Sequence, residues 1–165
     1  MVMAIATTKI DTYWKGVLAA LFLILLSSCS SCCQVWHFEN TLGTLPTYNS
    51  SRIYLCPGCE TNGLELELVR TTCGLNLYIN VFGLEVPADC NDPETTQVYV
   101  SFREYSYTFP AFRFVGGQRL LIPADARDEI ISWLMAGQSV YLRVGRYDGD
   151  IMPDKFGQVF ERLLK

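Results

Sequence analysis

Residues 64–71, LELELVRT, followed a few positions later by LNLYINV at 75–81, constrain the fold more than any other part of the chain. Leu64, Leu66 and Leu68 alternate with Glu65 and Glu67; Leu75, Leu77, Ile79 and Val81 alternate with Asn76, Tyr78 and Asn80. A period of two places alternate side chains on opposite faces, so each run reads as a strand with one dry face and one wet face. The short stretch Thr72, Cys73, Gly74 between them predicts a hairpin.

The rest of the chain extends the pattern. SRIYL, 51–55, is a first short strand, and about three more follow in QVYVSFREYSYTFPAFRFVGGQRLLIP, which is rich in aromatic and β-branched residues and cut by Pro110 and Gly116-Gly117. The period changes in ADARDEIISWLMAG, where Ala126, Ile130, Trp133 and Leu134 share a helical face, Asp125, Asp128 and Glu129 suit the first turns, and Gly137 closes the end. Alternation resumes in QSVYLRVGR. Pro153 then opens a second helix with a stripe of Phe156, Val159, Phe160 and Leu163. The expectation is an α+β domain, mainly an antiparallel β-sheet or sandwich with two helices near the C-terminus.

The chain has 165 residues, 50% hydrophobic and 18% charged, with a formal net charge of −4. Arg and Lys are scattered singly, and without a basic cluster there is no footprint for a phosphate backbone, so nucleic acid is set aside as a partner.

The N-terminus has a different character. MVMAIATTKIDTYWK carries Lys9 and Lys15, and the uncharged run GVLAALFLILL follows, in the proportions of an export signal. That run falls short of the roughly 20 apolar residues that span a bilayer. Leu26-Ser27-Ser28-Cys29 resembles a bacterial lipobox: an aliphatic residue at −3, two small residues, then cysteine. The resemblance implies cleavage before Cys29, diacylglycerol on its sulfur and acylation of the new amino group. Ser30 in place of Asp implies, by the same resemblance, no retention at the inner membrane. The organisation expected is a signal peptide over 1–28, a lipidated N-terminus and tether over 29–50, and a single domain over 51–165, held at the outer membrane of a bacterial envelope.

Export places the other cysteines in an oxidising compartment. Cys56, Cys59, Cys73 and Cys90 are the disulfide candidates, while Cys32 and Cys33 sit in the tether. A hairpin over 64–81 leaves Cys59 and Cys90 at one end and Cys73 at the other, so Cys90 with Cys56 or Cys59 is the pairing expected. Cys56-Pro57-Gly58-Cys59 is also the one constellation with redox potential. Its Pro-Gly turn leads into a strand and not a helix, which favours a structural role.

Other chemistry is sparse. Glu65 and Glu67 share a strand face at a spacing that suits paired carboxylates, as any solvated strand face does. Asp148-Gly149-Asp150 reads as a polar turn. His37, the single histidine, falls in the tether, away from any preorganised site. No catalytic residue, cofactor or metal is expected. The candidate binding surface is Tyr99, Tyr105, Tyr107 and Phe109, which share one parity, with Phe102, Phe112 and Phe114 on the other.

The order of elements in GGQRLLIPADARDEIISWLMAGQSVYLRVG, strand, helix, strand, resembles small exported bacterial domains of the invasion-associated locus B type. The function expected is a membrane-anchored envelope lipoprotein, a non-enzymatic module binding a protein or glycan. The rival expectation is a thiol-disulfide oxidoreductase using Cys56 and Cys59.

Overall fold

The computed structural model describes residues 35–56 and 62–165. Among these residues nine strands form one sheet: β1 (Trp36–Thr41), β2 (Ser50–Leu55), β3 (Leu64–Thr71), β4 (Gly74–Val81), β5 (Thr95–Phe102), β6 (Tyr105–Arg113), β7 (Arg119–Leu121), β8 (Val140–Val144) and β9 (Tyr147–Ile151). Their order is β1-β2-β3-β4-β7-β6-β5-β8-β9, and every pairing is antiparallel. Helix α1 (Ala124–Met135) joins β7 to β8, and α2 (Phe156–Leu164) follows β9. This is the mainly antiparallel α+β architecture expected from the sequence.

The hairpins follow from local chemistry. In β3 and β4, Leu64, Leu66 and Leu68 stand opposite Val81, Ile79 and Leu77, all buried. Two further hairpins turn through two residues each, Arg103-Glu104 and Gly145-Arg146, and a left-handed residue opens both turns, with φ of 51° at Arg103 and 57° at Gly145. Short β7 bridges the β1–β4 meander to the remaining strands.

The inner face of the sheet and the two helices share one core. Helix α1 buries Ala126, Ile130 and Leu134, while Trp133 stacks on Phe102 with ring centroids 4.9 Å apart. Helix α2 buries Phe156, Phe160 and Leu163, and Phe156 meets Trp36 edge to face at 4.8 Å. Pro153 does not itself enter α2. It accepts the N–H of Phe156 in a turn closed by left-handed Lys155, and the helix begins after it.

β9 crosses the ends of the first four strands. At its start, Tyr147 Oη donates to Leu84 O, just beyond β4, at 2.6 Å. Just past its end, the carbonyl of Met152 accepts Trp36 Nε1 at 2.9 Å, at the start of β1. The sheet therefore curls until the segment just past β9 reaches the start of β1. One rim carries the start of β1 and the ends of β2, β4, β6 and β8; the opposite rim carries the hairpin turns at Thr72-Cys73 and Arg103-Glu104.

Two expectations are corrected. The folded domain begins well before residue 51, because β1 lies in the stretch assigned to the tether and pairs along its length with β2. Six residues with only Trp36 and Phe38 turned inward give a weak signal, and the inner face is completed by α2, more than a hundred residues away. Asp148-Gly149-Asp150 is the middle of β9 and not a turn. Gly149 occupies the inward position opposite Leu142 and has no side chain to reveal the period.

Candidate binding face

The outer face of β1–β4 and β7 carries polar and aromatic side chains in register across five strands. His37, Tyr54, Glu67, Tyr78 and Leu121 stand opposite one another in sequence, and Phe112 of β6 continues the row. A neighbouring row runs from Glu65 through Asn80 to Arg119. Alternation puts these residues outward; the hairpin registers bring them together.

Glu67 is the hub. Although it points away from the core it is only 2% exposed, because two arginines close over it. Arg52 Nη1 lies 3.1 Å from one carboxylate oxygen and Arg119 Nη1 lies 2.9 Å from the other. Asn80 Nδ2 donates to Glu67 Oε2 and to Glu65 Oε1, each at 2.8 Å. Arg52 also reaches Glu39 at 2.6 Å, and Tyr54 Oη donates to the same carboxylate at 2.7 Å. Both guanidinium groups lie over rings, Arg119 at 4.0 Å from the centroid of Tyr78 and Arg52 at 4.8 Å from that of Tyr54, while His37 stacks on Tyr54 at 5.2 Å. Arg52 and Arg119 remain more than 40% exposed. Such a network is already ordered, so the side-chain entropy that binding normally costs has been met by the fold.

Titration follows from these contacts. Burial raises the Glu65 carboxyl above the ordinary range; the hydrogen bond from Asn80 opposes that shift and neighbouring Glu67 adds to it. The hydrogen bond from Tyr54, and then that from Arg52, lower Glu39. As a paired-carboxylate site this arrangement is closed, since both oxygens of Glu67 are occupied by arginine.

Where the rows reach β6 and β7, the face becomes apolar. Phe114 packs 6.1 Å from Tyr78, Phe112 and Phe114 meet edge to face at 5.2 Å, and both are exposed. Beside them a groove of about 320 Å³ is lined by Asn76, Pro110, Phe112, Leu121, Pro123 and Arg127.

The aromatic set read from parity does not form one surface. Phe102 pairs with Tyr105 across a two-residue turn, so odd positions in β6 face the same way as even positions in β5. Phe109 is core, Tyr107 is half-buried against Trp133 and hydrogen-bonded to Glu129, and Tyr105 is exposed beyond the helix. Tyr99 lies on the outer face, with Arg143 over its ring at 5.0 Å. His37, Tyr54, Tyr78, Arg52 and Arg119 were missed as a group. The visible signal was the run of aromatic, Asn and Glu residues on the wet parity of the first strands.

Cys56, Cys73 and Cys90 are exposed thiols, and no disulfide joins these described cysteines. Cys73 occupies the β3–β4 turn, as expected. Cys29, Cys32, Cys33 and Cys59 lie outside the described residues. Although the residue is exposed, partial desolvation of its sulfur, then Glu65 and Glu39, push the Cys56 thiol up. Among the described residues no acidic, His or Cys cluster could hold a metal, and no helix is long and apolar enough to cross a membrane.

Fold and face together define an antiparallel α+β domain with a preordered outer surface of arginine, carboxylate and aromatic groups. Comparison with family models, curated proteins and solved structures finds no match.

Proposed function

We propose that the chain is a bacterial envelope lipoprotein, anchored through Cys29 at the outer membrane, whose outer sheet face binds a protein or glycan without catalysing a reaction. The observation that carries binding is the Arg52–Glu67–Arg119 network, with its stacked tyrosines and the adjoining aromatic groove. Fixed planar donors beside rings suit ligands that offer hydroxyl or carboxylate acceptors on an apolar frame. The anchor rests on the Leu26–Cys29 lipobox.

The binding test sets the wild type against Arg119→Gln and Tyr78→Ala on a glycan array and in crosslinking to envelope proteins. A ligand retained equally by all three proteins overturns this face. The anchor is tested by intact mass and detergent partitioning against Cys29→Ser, and equal partitioning without lipid mass overturns it.

Thiol-disulfide exchange through Cys56 and Cys59 is the rival activity. An exchange pair works with a lowered thiol pKa, whereas Cys56 is raised and sits at a strand end. Ready, reversible reduction of a Cys56–Cys59 bond by mild dithiol, with the fold intact, would establish the rival instead.

A further inference from the structure

The rim at which β1 begins carries a cluster of exposed apolar side chains in the loops after β4 and β6. Phe82 and Leu84 follow β4 and are 58% and 61% exposed; Phe114 and Val115 follow β6, Val115 wholly exposed. The two loops are tied into one ledge. Gln118 Nε2 donates to Gly83 O at 2.6 Å, the N–H of Val86 donates to Gly117 O at 2.8 Å, and Arg113 Nε donates to Val86 O at 2.8 Å. Tyr147 pins the first loop from beneath through Leu84 O. These apolar side chains are thus held outward on a braced support.

The chain enters the domain at this same rim, since Trp36 opposes Leu55, the last residue of β2. Cys29 precedes Trp36 by so few residues that even a fully extended tether spans only about 25 Å. Across the sheet, β1 and β4 are three strand spacings apart, about 14 Å. A lipid on Cys29 would therefore tether the domain by this rim, on a leash of about 25 Å at most. The opposite rim is farther by the length of a strand, about 26 Å along β6.

The geometry points to a second membrane contact: the ledge of Phe82, Leu84, Phe114 and Val115 inserts into the headgroup–acyl boundary of the membrane that holds the lipid anchor. This rests on the anchor reading above. Insertion at the boundary is the habit of amphipathic surfaces that bury apolar groups only a few ångströms deep, and one anchor plus one apolar ledge sets an orientation where an anchor alone leaves a swivel. With this rim against the bilayer, the Arg52–Glu67–Arg119 face stands at the side of the domain, open to a ligand.

The test uses the full-length lipoprotein, purified in detergent and reconstituted in phosphatidylethanolamine–phosphatidylglycerol vesicles with or without brominated acyl chains. Val115→Trp and Leu84→Trp report on the ledge, and Tyr105→Trp, also on an exposed side chain, reports on the opposite rim. Intact mass establishes that each protein carries lipid. The expected result is added fluorescence, over wild type, that is lost to brominated chains at positions 84 and 115 and retained at 105. Equal quenching at all three positions in lipid-bearing protein overturns the ledge while leaving the anchor standing. Absence of lipid mass overturns the anchor, and with it this orientation.

Discussion

Asn80 donates one amide nitrogen to Glu65 at 2.8 Å, and the same nitrogen reaches Glu67 at 2.8 Å, so one side chain bridges two carboxylates of unequal character. Glu67 is neutralised by two arginines. Glu65 is half-buried and has its carboxyl raised, chiefly by burial.

That inequality predicts a pH-dependent variant. Below the ordinary carboxyl range Glu65 is protonated folded or unfolded, and its contribution is intact. As pH climbs from the ordinary value through the raised folded value, only the folded chain still holds the proton; above it a half-buried carboxyl must ionise, and stability is lost. Glu65→Gln keeps the acceptor for Asn80 without that loss. It should unfold at higher denaturant than wild type at pH 7, with the advantage vanishing in acid. An equal midpoint shift at both pH values would refute this account.

The same carboxylate bears on Cys56, whose thiol is pushed up by burial first and by Glu65 next. In fully reduced protein, Glu65→Gln should speed alkylation of Cys56 near neutral pH, read by peptide mass, because more thiolate is present. An unchanged rate would leave burial and Glu39 as the causes.

Tyr107 predicts a spectroscopic silence. Half-buried and hydrogen-bonded to Glu129, its hydroxyl is raised far above the ordinary tyrosine range, by burial first and by the carboxylate next. Alkaline titration followed at 295 nm should be unchanged by Tyr107→Phe until unfolding, and the variant should lose about 1 kcal/mol in denaturant unfolding. A missing mid-range tyrosine titration in the variant would contradict the raised Tyr107 hydroxyl.

Gly117 is buried in the turn after β6, at a φ of +62°, where an added Cβ would stand 2.4 Å from the Arg113 guanidinium. Arg113 cannot simply swing away, because it is held by Val86 O and Glu85. Gly117→Ala should therefore cost about 1–3 kcal/mol. Gly116→Ala has a similar backbone requirement but open space around it, and should cost less; reversed ranking by thermal unfolding would undo the argument.

At the start of β1, Trp36→Phe retains most of the packing on Phe156 but loses the hydrogen bond to Met152, a loss of about 0.5–1.5 kcal/mol. Trp36→Ala also opens a cavity and should cost about 3–5 kcal/mol. Equal denaturant midpoints for the two variants would mean that the ring packing contributes nothing.

Where neighbours in sequence were also neighbours in space, the fold was legible. Leu64 through Val81 and Phe156 through Leu163 announce their buried faces because strand and helix periods act locally. β1 and β9 were obscured because each is completed from afar, Trp36 by α2 and Gly149 by its place opposite Leu142. The aromatic surface failed at one turn: two residues between β5 and β6 exchange the parities, and no count along a single strand can detect that. The Arg52–Glu67–Arg119 network was less legible still, since its members come from β2, β3 and β7 and only register unites them.

The seam between Trp36 and Met152 has a consequence in time as well as in space. Synthesis runs from the N-terminus, so the first strand is made long before the segment that covers it. Until residues 152–163 exist, Trp36 and Phe38 have no floor beneath them, and the growing chain has neither a finished hydrophobic interior nor a closed edge. The core around the first strand is therefore complete only once the last helix has been made.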